Sequence, residues 1–217
     1  MTISTTPLLH DAILLIGPTG SGKTPLGEYA EQHGLDGRRC VHFDFGQALR
    51  AAAGAPVPPN GLTPADIAFI RHVLNTGALL EDDRFPIAEA ILKHVINTRT
   101  TSTDDIIVLN GLPRHIGQAR RLAPLLTIRR VLHLQCAPET VYDRIRTNSG
   151  GDRTGRRDDQ PDDIRRKLEL FNQRTAPLLD DFRQHGIPVI PCESTLHSTP
   201  ASLWSERLHR PASPIPC

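Results

Sequence analysis

Five short apolar runs punctuate the chain: Ala12-Ile-Leu-Leu-Ile16, Cys40-Val-His-Phe43, Ile106-Ile-Val-Leu109, Val131-Leu-His-Leu134 and Ile187-Pro-Val-Ile190. Each is near-continuous rather than alternating, the pattern of strands buried on both faces. Amphipathic stretches between them predict helices over 24–33, 64–76, 86–98, 116–123, 138–147 and 161–185, with Gly34 and Gly186 placed to cap two of them. Strands separated by helices form βαβ units, so the expected fold is α/β, a three-layer α/β/α arrangement around a five-stranded parallel sheet. Right-handed crossovers then put a ligand beyond the carboxyl ends of the strands. Two segments break the rhythm: 54–63 is a Pro- and Gly-rich loop, and 148–160 is polar, Gly-rich and basic. Both suit flaps over a site or plain surface loops. One short amphipathic helix, about 200–209, precedes a Pro-rich end.

The strongest local signal follows the first run. Gly17-Pro18-Thr19-Gly20-Ser21-Gly22-Lys23-Thr24 matches GxxxxGK[ST] in full and lies between a buried strand and a helix. Its glycines let backbone N–H groups turn inward around phosphate oxygens, and the helix N-terminus adds its positive end. Lys23 is placed to reach the β- and γ-phosphates of ATP, and the Thr24 hydroxyl to ligate Mg²⁺.

Composition narrows the alternatives. The chain has 217 residues, 38% hydrophobic, with Lys+Arg 25 against Asp+Glu 24 and a net charge of +1. That balance gives no broad electrostatic grip on nucleic acid or an acidic membrane. No run approaches the roughly 20 apolar residues of a membrane span, and the apolar stretch Ala12–Ile16 lacks the basic flank of a secretory signal. Cys40, Cys136, Cys192 and Cys217 show no metal-ligand spacing, so a reducing cytoplasm is the expected setting. The ten histidines include none at HExxH spacing. Only Lys23, Lys93 and Lys167 are lysines, so each invites a specific question.

Three further segments resemble the adenylate kinase / nucleoside monophosphate kinase family. Ile106-Ile-Val-Leu-Asn-Gly-Leu-Pro-Arg114-His-Ile-Gly-Gln118 is similar to its strand followed by D-G-F-P-R-x-x-x-Q. Gly46-Gln-Ala-Leu-Arg50 resembles its G-D-x-L-R, and Asp158-Asp159-Gln160 through Lys167, then Thr175-Ala-Pro-Leu178, its D-D helix and T-x-P-L. Thr76-Gly77-Ala-Leu-Leu80 parallels its G-x-L/V stretch. The resemblance implies one P-loop kinase domain over 1–217. Its core would span about 12–43, 80–147 and 161–209, with a small helical monophosphate-binding insertion over 44–79 and a short lid over 148–160. It implies transfer of the γ-phosphoryl group of Mg-ATP to a nucleoside monophosphate by a monomer. Arg50 and Arg114 would hold the acceptor phosphate, Gln118 its base, and Phe45, Gly46 and Gly111 would line the acceptor site. Arg144 and Arg156 would close on donor and transferring group beside Lys23 and Lys167, with Thr24 and Asn110 on the metal side.

The chain also departs from that family. Asn110 stands where the family has an Asp near Mg²⁺, keeping a carbonyl oxygen but losing the charge. Lys167 replaces an arginine and loses its fork, and Pro25 replaces a hydroxyl residue. Asn148 occupies a lid position usually held by arginine, and Arg153 would substitute under a shifted register. Phe45 suits either stacking on a base or filling its pocket. Asp44 suits either a hydrogen bond to an acceptor hydroxyl or amine, or a helix N-cap. Two other functions therefore stay open: a P-loop kinase of a small non-nucleotide alcohol, and a weakly active or non-catalytic nucleotide-binding homologue.

Overall fold

A computed structural model describes residues 9–59, 61–154 and 159–208. Five strands, β1 (His10–Ile16), β2 (Cys40–Asp44), β3 (Ile106–Asn110), β4 (Leu126–Gln135) and β5 (Val189–Glu193), form one parallel sheet in the order β2-β3-β1-β4-β5. Nine helices accompany them among the described residues: α1 (Lys23–His33), α2 (Phe45–Gly54), α3 (Pro64–Thr76), α4 (Phe85–Arg99), α5 (Ile116–Leu122), α6 (Pro138–Arg146), α7 (Pro161–Leu170), α8 (Pro177–Gln184) and α9 (Pro200–Leu208).

The near-continuous apolar runs divide by alternation. Ala12, Leu14 and Ile16 of β1 face a core shared with α2, α3, α4, α5 and α8, including the fully buried Phe85 and Leu92. Ile13 and Leu15 face the other way, against Leu26 and Ala30 of α1 and Leu203 and Trp204 of α9. Trp204 also donates its indole N–H to the Gly34 carbonyl, 3.1 Å away, at the left-handed end of α1. A third, small cluster joins Val141 and Ile145 of α6 to Ile164 of α7.

The structure differs from the sequence pattern at several places, beginning with α2, a helix the periodicity does not predict. The helix expected over 161–185 is interrupted: Phe171–Thr175 forms a π turn, closed by the Ala176 N–H on the Phe171 carbonyl at 2.8 Å. Pro177 follows and has no N–H to continue the regular ladder. The last strand begins at Val189 rather than 187, because Gly186 N–H to Arg183 O (3.0 Å) and Ile187 N–H to Phe182 O (2.9 Å) close α8 first. Finally, β4 begins at Leu126, and its register against β1 shifts between Ala12 and Ile13. Arg129 lies in that stretch and pairs with Asp11 at 2.6 Å, so Arg129-Arg130 separate Leu126-Thr-Ile128 from the apolar run that begins at Val131. No described helix is long and apolar enough to cross a membrane.

Candidate active site at the carboxyl ends of the strands

The sheet delivers three loops to one end. The first, Gly17–Gly22 after β1, turns tightly, with Gly20 and Gly22 at φ +73° and +90°. A Cβ on Gly17 would lie 2.7 Å from the Leu134 carbonyl, so the loop runs hard against β4 and admits no side chain there. Ser21 is fully buried, its carbonyl accepts from the Ser194 hydroxyl at 2.8 Å, and its own Oγ has no hydrogen-bond partner. Pro18 and Thr19 complete the turn, and Pro25 sits in the first turn of α1.

Lys23 folds back over this loop, its Nζ donating to the Gly17 and Pro18 carbonyls at 2.7 Å each. Burial, with the Arg114 and Arg153 guanidiniums nearby, pushes its ammonium down to about 7. The cradle therefore holds a concentration of positive charge that an anion would relieve.

The second loop starts where β2 passes into α2. Asp44 caps α2, accepting the Gln47 N–H on Oδ1 at 2.9 Å, while its Oδ2 accepts the Thr24 hydroxyl at 2.8 Å. Burial alone would raise this carboxyl. The bonds from Gln47 and Thr24, with His42 and Arg50 nearby, hold it below the usual carboxylate range. Of the two roles weighed for Asp44 the structure shows the helix cap, and the second carboxylate oxygen is turned to the P-loop hydroxyl. Phe45 is buried, its ring 6.0 Å from that of Phe43, so it fills its pocket. Gly46 and the exposed Arg50 follow on the same helix.

The third loop leaves β3. Asn110 donates Nδ2 to Asp44 Oδ2 at 2.9 Å and to Thr24 Oγ1 at 3.1 Å. Gly111 has φ +82°, and a Cβ there would lie 3.6 Å from both Arg114 Nη2 and the Phe45 Cβ. Arg114 is exposed and donates Nε to the Gly111 carbonyl at 3.1 Å, while Thr175 caps its carbonyl at 2.9 Å. Gln118 is 1% exposed and spans inward: its Oε1 accepts the Arg114 N–H (2.7 Å) and its Nε2 donates to the Leu80 carbonyl (2.6 Å). Both ends of the amide expected on an acceptor base are thus engaged by the protein.

Arg144 of α6 is buried and braces the cradle, donating Nε to the Gly20 carbonyl at 3.0 Å and Nη1 to the Thr195 carbonyl. Arg153 reaches the Thr19 hydroxyl with Nη2 (3.0 Å) and Asp159 with Nη1 (2.7 Å). Lys167 of α7 lies 3.8 Å from the same Asp159 oxygen. Asn148 accepts the Arg153 N–H on Oδ1 at 3.0 Å. Arg153 therefore reaches the P-loop from the 148–154 segment, with Asn148 holding its backbone N–H; Arg156 and Asp158 lie outside the described residues. The ties to Thr195 and Ser194 left no mark in the sequence, because one runs through a backbone carbonyl and the other through a lone serine.

Thr24, Asp44 and Asn110 gather a hydroxyl, a carboxylate and an amide at one point, hard donors that suit Mg²⁺. No group of three or more His, Cys, Asp or Glu side chains forms a metal cage among the described residues. A Mg²⁺ held here would draw the rest of its shell from nucleotide phosphates and water.

Known proteins resemble this chain in sequence and in fold. The chain is 32% identical over 185 residues to an adenylate kinase of Synechococcus sp. (strain WH7803), which covers 82% of this chain and 88% of that one. It is 31% identical over 184 residues to an adenylate kinase of Xylella fastidiosa (strain M23), covering 81% and 87%. A solved gluconokinase from Sinorhizobium meliloti 1021 shares the fold, with a TM-score of 0.52 at 20% identity over 91% of this chain and 89% of that one. No family profile matches the chain. The extent and identity of the first two matches, on a P-loop kinase fold, show that the chain belongs to the adenylate kinase family.

Proposed function

We propose that this chain transfers the γ-phosphoryl group of Mg-ATP to a nucleoside monophosphate, releasing ADP and a nucleoside diphosphate. The observation that carries this reading is the convergence of cations on Asp44. Lys23 opens α1, Arg50 lies on α2 beside Gly46 and Asp44, and Arg114 follows β3 beside Gly111 and Phe45; all three interact electrostatically with that carboxylate. Phosphoryl transfer is mostly positioning and charge stabilisation, so a donor cradle facing two forked arginines suits an acceptor that itself carries a phosphate. Mg²⁺ bound with the nucleotide would offset charge on the β- and γ-phosphates. Lys23 leaves its two carbonyl partners for the γ-phosphate, Arg114 and Arg50 hold the acceptor phosphate in line, and Arg153 covers the P-loop and excludes water. No covalent enzyme intermediate is needed.

A smaller, non-nucleotide acceptor is the second reading. It is favoured by the buried Phe45 and by the Gln118 amide, whose two ends are already engaged. Coupled ADP release with Mg-ATP across AMP, GMP, CMP, UMP, dTMP, gluconate and no acceptor separates the two. Turnover with a nucleoside monophosphate is expected. Turnover with gluconate alone would transfer the assignment to the second reading.

A further inference from the structure

Strands β2 and β3 finish on the same rung of the sheet, Asp44 opposite Asn110. Their side chains meet there with that of Thr24, and the donors fix which group plays which part. Thr24 gives its one hydroxyl proton to Asp44 Oδ2 and accepts from Asn110 Nδ2. Asn110 gives a second N–H to the same Asp44 oxygen. Asp44 only accepts, and the Thr24 oxygen keeps one lone pair uncommitted.

Capping does not account for the charge at this point. The cap uses Oδ1, and Asn or Ser caps a helix as well as Asp does. Lys23, Arg50 and Arg114 lie within electrostatic reach of this carboxylate, but the oxygen not used by the cap is turned to the P-loop hydroxyl, where a metal would sit. P-loop proteins hold Mg²⁺ between the loop hydroxyl and an acidic side chain at a strand end. In this chain the end of β3 is a neutral amide, whereas the carboxylate hydrogen-bonded to the loop hydroxyl belongs to β2.

We propose that Asp44 supplies the carboxylate of the magnesium site, with the negative charge one strand over from β3, and that Asn110 positions Asp44 and Thr24. The inference rests on the chain binding Mg-ATP, and it deepens that reading by naming the metal-side residue. It also places the metal's carboxylate and the acceptor arginine Arg50 on one rigid unit, the first two turns of α2.

The test measures ATP binding by calorimetry, in EDTA and in saturating Mg²⁺, with no acceptor and no turnover. Wild-type protein is expected to gain affinity when Mg²⁺ is present. Asp44→Asn keeps the cap and should lose roughly 10- to 100-fold of that gain. Its metal-free ATP affinity should hold or tighten, because an anion facing the phosphates is gone. The exchanged pair Asp44→Asn/Asn110→Asp returns the charge across the rung and should recover the gain. Metal-free ATP binding by each variant confirms that it is folded. Asp44→Asn protein that keeps the full gain, or an exchanged pair no better than Asp44→Asn, overturns the proposal while leaving the kinase reading standing. Wild-type protein that binds no ATP in either condition overturns both.

Discussion

Arg153 donates from Nη2 to the Thr19 hydroxyl at 3.0 Å, tying the lid segment to the P-loop across 134 positions of sequence. The same guanidinium bonds Asp159 at 2.7 Å, and Asp159 also lies 3.8 Å from Lys167. One carboxylate therefore gathers two cations above the cradle. Arg153→Met keeps the side chain's stem and deletes its fork. We expect kcat to fall about 10²-fold, the scale of one preorganised donor at developing charge, with Arg153→Lys recovering part of it. Steady-state kinetics decide this, and an unchanged kcat would confine the Arg153 contact to the nucleotide-free protein.

Lys23 sets a pH dependence. Its proton is lost at about 7 in the free protein, against an ordinary 10.5. A phosphate in the cradle favours the charged form, so binding above pH 7 takes up a proton. ATP affinity should then fall as pH rises above 7, by up to about tenfold per unit. The binding heat at pH 8 should vary with the ionisation enthalpy of the buffer, with the sign of proton uptake. A buffer-independent heat would mean that Lys23 is already charged in the free protein. Lys23→Ala should abolish ATP binding.

Arg50 lies on α2 with its guanidinium beside Gly46 and Asp44. Arg50→Met should raise KM for a monophosphate acceptor roughly 10- to 100-fold, the loss of one charge-assisted contact. The affinity for Mg-ATP should stay within about twofold, since its donor-side partners are untouched. Equal losses on both sides would place Arg50 on the donor.

Gly27 offers a stability test with a decided sign. In most helices Gly→Ala helps by roughly 0.5–1 kcal/mol. Here a Cβ on Gly27 would meet the His42 ring at 2.3 Å, inside a buried contact where the ring Nε2 has no hydrogen-bond partner. Gly27→Ala should destabilise by about 1–3 kcal/mol, the cost of overpacking. Gly27→Ala/His42→Ala should recover much of that loss in thermal unfolding.

The strands β1, β2 and β3 were legible because helices cover both of their faces, which leaves almost no polar position to blur the run. The P-loop was legible because its eight residues are contiguous. The start of β4 was not, because Arg129 answers Asp11 across the sheet. The contact between Asp44 and Thr24 spans 20 positions, and its two partners carry no joint signature in the sequence. Gln118 shows the opposite limit. Its place in a family-like motif was plain, but only the structure reveals that the Leu80 carbonyl and the Arg114 amide occupy both ends of its amide.

The π turn at Phe171–Thr175 changes how one helical run divides its loyalties. A regular helix advances about 100° per residue, so one extra residue in the turn resets which side each half presents. Before it, Ile164 and Leu168 of α7 pack with α6; after it, Leu178, Leu179 and Phe182 of α8 pack into the main core. The turn itself carries Arg174 to Glu81, with bonds of 3.1 and 2.8 Å, and Thr175 to the Arg114 carbonyl. The offset thus lets one helical run serve two packing surfaces, with its polar turn residues left to hold the segments of Glu81 and Arg114.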